Sequence, residues 1–156
     1  MNALVVYDSQ FGNTERIAQA IAGALRAGGQ ARAVRVDPAQ PVEFQGVDLL
    51  LVGSPTQGWK ATPAIVSWLG VVGSERLRGL TVACFDTRFR GPRLLTGSAA
   101  EALAGKLQGM GGSLLLPPES FIVKGWQAPV LFDGELDRAA AWARTILERA
   151  GVSTST

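Results

Sequence analysis

A short polar segment, residues 9–14, carries the clearest chemical signal in the sequence. The run 3–7 before it is apolar and favours a β-strand, and the apolar residues after it recur at helical spacing over 17–25. The polar turn therefore joins the end of a strand to the start of a helix. Unpaired amides and the positive end of the helix dipole meet at such a junction and favour an anion. The segment predicts a phosphate-binding turn.

The turn reads Ser9-Gln10-Phe11-Gly12-Asn13-Thr14. This order resembles the phosphate loop of the flavodoxins, which reads Ser/Thr-x-Thr/Phe/Tyr-Gly-Asn-Thr. The resemblance implies non-covalent binding of FMN. A simpler alternative is that Asn13 and Thr14 only cap a helix. Neither G-x-x-x-x-G-K-[ST] nor G-x-G-x-x-G follows a strand, which argues against an ATPase or a dinucleotide-binding enzyme. The predicted phosphate ligands are Ser9, Gln10, Phe11, Gly12, Asn13 and Thr14.

A second loop, over residues 53–63, resembles the flavodoxin loop that flanks the isoalloxazine ring. A flat aromatic cofactor needs a stacking partner, and Trp59 is our first choice. The other orientation open to Trp59 is folding back onto its own helix as part of the core. The resemblance also implies that the peptide at Gln57-Gly58 rearranges when the flavin is reduced. The predicted cofactor contacts in this loop are Ser54, Pro55, Thr56, Gln57, Gly58 and Trp59.

A third loop, predicted over residues 86–93, departs from the flavodoxin pattern, which has a tyrosine or tryptophan here. Asp86 and Thr87 could bond the pyrimidine edge of the flavin, and Phe89 could cover one face. The arginines of this loop have two interpretations, of which a solvated basic loop is favoured over a patch that steers an anionic substrate or an acidic partner. The predicted cofactor contacts here are Asp86, Thr87, Arg88 and Phe89.

The rest of the chain alternates strand-like apolar runs with helical patterns, the rhythm of a β-α-β fold. The resemblance implies an α/β, flavodoxin-like, doubly wound sheet of five parallel strands, order 2-1-3-4-5, with helices on both faces. In this order the three loops meet at one edge of the sheet, where the strand order reverses. The predicted strands are 3–7, 33–36, 48–53, 80–85 and 114–123.

Prolines modify this pattern at two places. The segment 37–47 contains two prolines and predicts a short or irregular connection where a crossover helix is usual. Two further prolines, at 117–118, fall inside the fifth strand. Since proline cannot donate to a sheet ladder, we expect this strand to be bulged or split and to lie near an edge.

The length and the C-terminal pattern predict one domain over residues 1–151. A final amphipathic helix should begin after Asp133 as its N-cap and end at Gly151. The Ser/Thr-rich tail, 152–156, is predicted to be disordered.

The composition excludes several classes of function. The sequence has no histidine and a single cysteine, Cys84, so Ser-His-Asp and Cys-His nucleophiles and histidine-rich metal sites are excluded. No metal site is predicted. The net charge is only +2 and the basic residues are scattered, which does not indicate nucleic-acid binding. No apolar run is long enough to cross a bilayer, so a cytoplasmic protein with no membrane contact is expected.

These features favour an FMN-binding electron-transfer protein that passes electrons to an unidentified redox partner protein and works as a monomer or weak homodimer. Electron transfer needs no catalytic acid or base, because the cofactor supplies the redox chemistry. We therefore expect an electron carrier more than a substrate-specific enzyme. The alternatives are a small FMN-dependent reductase of the quinone or protoporphyrinogen type, and a binding module of the same fold that holds no flavin.

Overall fold

The computed structural model describes residues 1–154, and a mostly parallel sheet forms its centre. The strand order β2-β1-β3-β4-β6-β7 contains the predicted core order, with β6 in the place of the fifth strand. The strands are β1 (Asn2–Tyr7), β2 (Gln30–Arg35), β3 (Leu49–Pro55), β4 (Thr81–Phe89), β5 (Ser113–Leu114), β6 (Glu119–Lys124) and β7 (Val130–Leu131).

Helices cover both faces of the sheet, as predicted. The longest are α1 and α6, which pack on one face, and α2 and α5, which pack on the other. None of the helices in the described part of the chain is long and apolar enough to cross a membrane. The helices are α1 (Asn13–Leu25), α2 (Pro63–Val72), α3 (Ser74–Leu77), α4 (Arg93–Thr96), α5 (Ala99–Gly109) and α6 (Glu135–Arg149).

Strand alternation decides which side chains reach which face. In β4, Phe85 belongs to the core beneath α1 and α6, whereas its neighbour Cys84 belongs to the core beneath α2 and α5. Both side chains are fully buried. Burial raises the pKa of the Cys84 thiol to about 12, so it behaves as a small apolar side chain.

The sheet differs from the prediction in its number of strands, which is seven and not five. Prolines 117–118 divide the predicted fifth strand into β5 and β6, and both parts pair with β4, so the predicted split is confirmed. The short strand β7 then returns antiparallel to β6. The fourth strand is also longer than predicted: it continues through residues 86–89 because β6 supplies a hydrogen-bonding partner there.

The predicted irregular connection between β2 and β3 is confirmed, since residues 36–48 contain no helix. Apolar side chains of this segment cover the part of the sheet that a crossover helix would otherwise cover. Phe44 packs on Trp68 of α2, with the ring centroids 6.3 Å apart, and Val42 and Val47 join the same core. This covers the face of the sheet beside the edge strand β2.

The C-terminal helix begins later than predicted. Its N-cap is Gly134, with φ 85°, and no side chain caps it, so the prediction of Asp133 as N-cap is wrong. A left-handed N-cap favours glycine, and Gly134 follows Asp133 directly. The helix ends at Arg149, close to the predicted Gly151. Of the predicted disordered tail, residues 155–156 lie outside the described residues, whereas Val152 donates its amide to the carbonyl oxygen of Leu147.

A charged cluster fastens α6 to β6. Arg138 donates two hydrogen bonds to the Glu135 carboxylate, from Nε at 2.9 Å and from Nη2 at 2.7 Å. The amide of Ile122 donates to the same carboxylate at 2.7 Å, and Arg138 also donates to the carbonyl oxygen of Ser120. Burial alone would raise the pKa of Glu135, but these hydrogen bonds and the arginine charge hold the pKa below its ordinary value of 4.5.

We expect Glu135→Gln to lower the free energy of unfolding at pH 7 by about 1 to 2 kcal/mol, after allowance for the partial exposure of Arg138. Because the folded pKa is lowered, this contribution is present above the unfolded pKa and is lost as the pH falls through the folded pKa. The difference between the two proteins should therefore shrink on acidification below about pH 4.5. Urea unfolding at several pH values measures it, with the exposed Glu148→Gln on the same helix as the control.

A second constraint is the close approach of Gly53 to Phe85. A Cβ atom on Gly53 would lie 2.1 Å from Cζ of Phe85. The Phe85 ring is held on its other sides by Phe121 and Trp142, at centroid distances of 6.3 and 6.1 Å. The ring therefore has little room to move.

We expect Gly53→Ala to destabilise the protein by about 1 to 3 kcal/mol, because the added methyl overpacks this core. Thermal and urea unfolding measure the loss. Gly23→Ala in α1, where a Cβ would meet nothing within 4 Å, is the matched control and should stabilise by about 0.5 to 1 kcal/mol. In the double variant Gly53→Ala/Phe85→Leu the two losses should not add. Full additivity would contradict the proposed clash.

Candidate functional site

Four segments meet at the carboxyl edge of the sheet: the β1–α1 turn, the loop after β3, the end of β4 and the turn between β6 and β7. Between them lie two adjoining cavities, which share residues such as Thr56 and Phe89 in their walls. The smaller, about 90 Å³, lies against the β1–α1 turn. The larger, about 730 Å³, lies against the other three segments.

The β1–α1 turn has the geometry of an anion site. Gly12 is the N-cap of α1 with φ 86°, a left-handed conformation that favours glycine. The amide of Glu15 donates to Ser9 Oγ at 3.3 Å, and the amide of Arg16 donates to the carbonyl oxygen of Gly12. Within residues 1–154, no acceptor is bonded to any of the five consecutive amides from Gln10 to Thr14. These donors are available to a ligand.

Side chains from other segments fix this turn. Thr14 Oγ1 lies 2.8 Å from Thr87 Oγ1 of β4, and both side chains are buried. Asn13 Nδ2 donates to the carbonyl oxygen of Pro129 at 2.7 Å, and Arg35 of β2 donates to the carbonyl oxygen of Ser9. The turn is therefore tied to three strands or their connections before any ligand binds.

The loop after β3 is a two-residue turn. The backbones of Gln57 and Lys60 exchange two hydrogen bonds of 2.9 Å. The residues between them, Gly58 and Trp59, both have positive φ, at 52° and 67°. This conformation is rare for a bulky residue, and it is held here by the pairing of Trp59 with Gly97.

Gly97 is required for this pairing, because a Cβ atom at that position would lie 2.2 Å from Cα of Trp59. The Trp59 indole therefore lies against the start of α5 and in the wall of the larger cavity. It is 59% exposed and is not part of the core, so the alternative orientation, folding back onto its own helix, is wrong.

Two predicted cofactor contacts, Ser54 and Asp86, lie away from both cavities. Each is fully buried on the α2 and α5 side of its strand. Asp86 accepts hydrogen bonds from Ser98 Oγ at 2.6 Å and from the amide of Ala100 at 3.0 Å, so it caps the start of α5. Ser54 Oγ accepts the amide of Thr62 at 3.0 Å. Strand alternation is the reason: it directs these two side chains to the opposite face from Thr87.

The other predicted residues, except Gly12, are placed in the cavity walls. Arg88 lines both cavities and donates to the carbonyl oxygen of Gly91 and to Thr96 Oγ1. Around the smaller cavity the structure brings together Ser9, Gln10, Phe11, Asn13, Thr14, Pro55, Thr56, Gln57, Thr87, Arg88 and Phe89; Gly58 and Trp59 line only the larger cavity, and Gly12 shapes the turn without lining either.

The turn after β6 contributes residues that are not among the predicted cofactor contacts. Pro129 lies in the wall of the smaller cavity and accepts the Asn13 hydrogen bond. In the larger cavity Trp126 stacks on Phe89, with the ring centroids 5.3 Å apart and an interplanar angle of 26°, and Phe132 completes the wall. The pattern Gly125-Trp126 was the available signal, because an aromatic side chain on a glycine-containing turn is exposed unless it covers a ligand.

The two cavities suit the two ends of a phosphorylated aromatic cofactor. The free amides of the turn and the Thr14 hydroxyl can donate to a phosphate group, and the larger cavity offers aromatic walls to a flat ring. The donor set is neutral, which is consistent with a dianion bound at a helix N-terminus through backbone groups. The residues present therefore fit FMN.

Comparisons with known proteins identify the family of this chain. The flavodoxin family model matches residues 5–142. A putative diflavin flavoprotein A 5 from Nostoc sp. is 40% identical over 77 residues, which are 46% of this chain and 14% of that protein. The chain thus matches only a small part of this longer relative.

Solved structures share the fold. A flavodoxin from the domain Archaea superposes with a TM-score of 0.76 at 20% identity and covers 97% of this chain and 99% of its own. The Flv1 flavodiiron core from Synechocystis sp. PCC6803 gives a TM-score of 0.72 at 22% identity, over 95% of this chain and 35% of its own. The family match includes the phosphate turn, the three other segments around the cavities and about half of α6. The chain therefore belongs to the flavodoxin family, whose members bind FMN.

Proposed function

We propose that this chain binds FMN non-covalently in the two adjoining cavities and passes electrons from it to a partner protein. The five consecutive amides of Gln10–Thr14 that no protein acceptor satisfies carry this proposal. They lie at the N-terminus of a 13-residue helix, where an anion is most favoured. When bound, FMN supplies the redox chemistry.

The protein's own residues bind and orient the cofactor. The amides and Thr14 hold the phosphate group, and the Thr14–Thr87 contact, at 2.8 Å, fixes the hydroxyl that reaches it. Trp59 and Phe89 form walls of the larger cavity, where the flavin ring is placed, and limit the access of water to the ring. The tip of the loop after β3 has room to rearrange, since a Cβ atom on Gly58 would meet nothing within 4 Å.

The exposure of the cavity walls favours an electron carrier over a substrate-specific reductase. Trp59 is 59% exposed and Trp126 is 89% exposed, so a ring held between these walls keeps an accessible edge. A partner protein can approach such an edge closely enough for electron transfer. A reductase would instead enclose a second substrate above the ring.

The absorption spectrum of the purified protein, with a fluorescence titration by FMN, tests the proposal directly. Flavin absorption bands and saturable quenching of FMN fluorescence are expected. Riboflavin lacks the phosphate, so several charge-assisted hydrogen bonds are lost. It should bind at least about a hundredfold more weakly than FMN. Equal affinity for FMN and riboflavin would contradict the assignment of the turn to phosphate.

We expect Thr14→Val to weaken FMN binding about tenfold or more, since the substitution removes a hydrogen-bond donor to a charged group. The dissociation constant is measured by the same titration. Thr145→Val, at a half-buried position of α6 outside both cavities, is the matched control and should leave the dissociation constant unchanged. The riboflavin affinity of Thr14→Val should fall less than its FMN affinity, which separates loss of a phosphate contact from general damage to the fold.

A further inference from the structure

The exposed apolar side chains of the protein are concentrated around the cofactor site. Eight large hydrophobic side chains in the described residues are exposed, and only Val66 and Val71, on α2, lie elsewhere. Three of the other six, Leu94, Leu95 and Trp126, are 70 to 90% exposed, and Leu95 and Trp126 line the larger cavity. Exposed apolar groups clustered at one place mark an interaction site, whereas scattered ones do not. The six are Phe11, Trp59, Leu94, Leu95, Trp126 and Val130.

Basic side chains share this mouth. The Arg90 guanidinium and the Lys124 ammonium each lie 5.1 Å from the centroid of the Phe132 ring. Lys60 follows Trp59 in the turn after β3 and is also exposed. No carboxylate in residues 1–154 lies within 4.0 Å of any of these three cations.

The segments that form the mouth contain one exposed acidic residue, Asp133, whose negative charge could offset these cations. By contrast, Arg93 nearby is paired with Glu101 at 3.3 Å, and Arg138 is paired with Glu135. Two like charges that face one ring without a counter-ion repel each other, so this arrangement contributes little to folding. It produces a local positive potential around an apolar surface.

We propose that this surface docks an acidic redox protein. We call it the cationic rim and define it by Lys60, Arg90 and Lys124 with Leu94, Leu95 and Trp126. The partner would carry carboxylates around a small apolar patch beside its own redox centre. This inference rests on the proposed function, because it places the partner at the accessible edge of the bound FMN.

The geometry favours a protein over a small anion. Leu94, 90% exposed, does not line the larger cavity, and Trp126, which does line it, is 89% exposed, so a molecule inside the cavity would leave most of both side chains uncovered. A protein surface covers such side chains and places its own charges opposite the cations. Weak electron-transfer complexes have interfaces of this kind, small and with charged rims that speed association.

A reduced plant-type [2Fe–2S] ferredoxin, a small acidic protein, is the probe for the test. One electron passes from the cluster, which is oxidised, to the bound FMN, which is reduced, and stopped-flow absorbance records the rate constant. At an ionic strength of about 10 mM the Debye length is about 30 Å, so charge effects are large. The rate constant should fall about tenfold or more between this condition and high salt.

Two charge-reversal variants separate the rim from the net charge. Arg90→Glu/Lys124→Glu and Arg144→Glu/Arg149→Glu change the net charge equally, but the second pair lies on the exposed side of α6. The rim variant should react with ferredoxin about tenfold more slowly than the α6 variant at low salt. Leu94→Ser/Leu95→Ser should slow the reaction at all salt concentrations relative to Val66→Ser/Val71→Ser on α2.

The outcomes are distinguishable. If the rim and α6 variants, each saturated with FMN, react with ferredoxin at equal rates, the docking surface is wrong and the proposed function stands. If the wild-type protein binds no FMN, the proposed function itself fails, and the docking proposal with it. Binding of the wild type, but not of the rim variant, to vesicles of phosphatidylcholine and phosphatidylserine, with unchanged ferredoxin rates, would assign the rim to a membrane and overturn the proposal.

Discussion

Five backbone amides without a protein acceptor, over Gln10–Thr14, are the constraint on which the rest of the site depends. A buried donor without an acceptor costs about 1 to 3 kcal/mol, so these groups must face solvent or a ligand. The fold holds them at the edge of the sheet: Arg35, Thr87 and Pro129 fasten the turn from neighbouring segments. The site is organised before the cofactor arrives, and binding replaces water with a single anion.

Much of the fold could be predicted from local pattern because the central strands β1, β3 and β4 are buried on both faces and contain continuous apolar runs. The prolines at 117–118 correctly predicted the division of the fifth strand. The extension of β4 through residues 86–89 could not be predicted, since it depends on pairing with β6, which lies more than 30 residues later. Asp133 looked like a helix cap by residue type alone, but the chain turns at Gly134, whose left-handed conformation sets the first turn of α6.

Some residues of the candidate site could likewise be predicted from the sequence, and others could not. The phosphate turn could be predicted because its residues are consecutive and the chemistry lies in the backbone. Asp86 was predicted to contact the cofactor, but strand alternation directs its side chain to the other face of the sheet. There its carboxylate accepts hydrogen bonds from the start of α5. The exposure of Trp59 depends on Gly97, and the contribution of Trp126 depends on its stacking with Phe89. These are contacts between distant segments, and residue type does not specify them.

The single thiol of the chain provides an internal reporter of motion. Cys84 lies in the central part of β4, fully buried, with a pKa of about 12, so a thiol reagent can reach it only when the sheet opens on its α2 and α5 side. The rate of its modification under native conditions therefore reports how often the core opens. Since Cys84 and Thr87 share one strand, a ligand held at the carboxyl edge would lower the modification rate from a distance of a few residues, without contacting the sulfur.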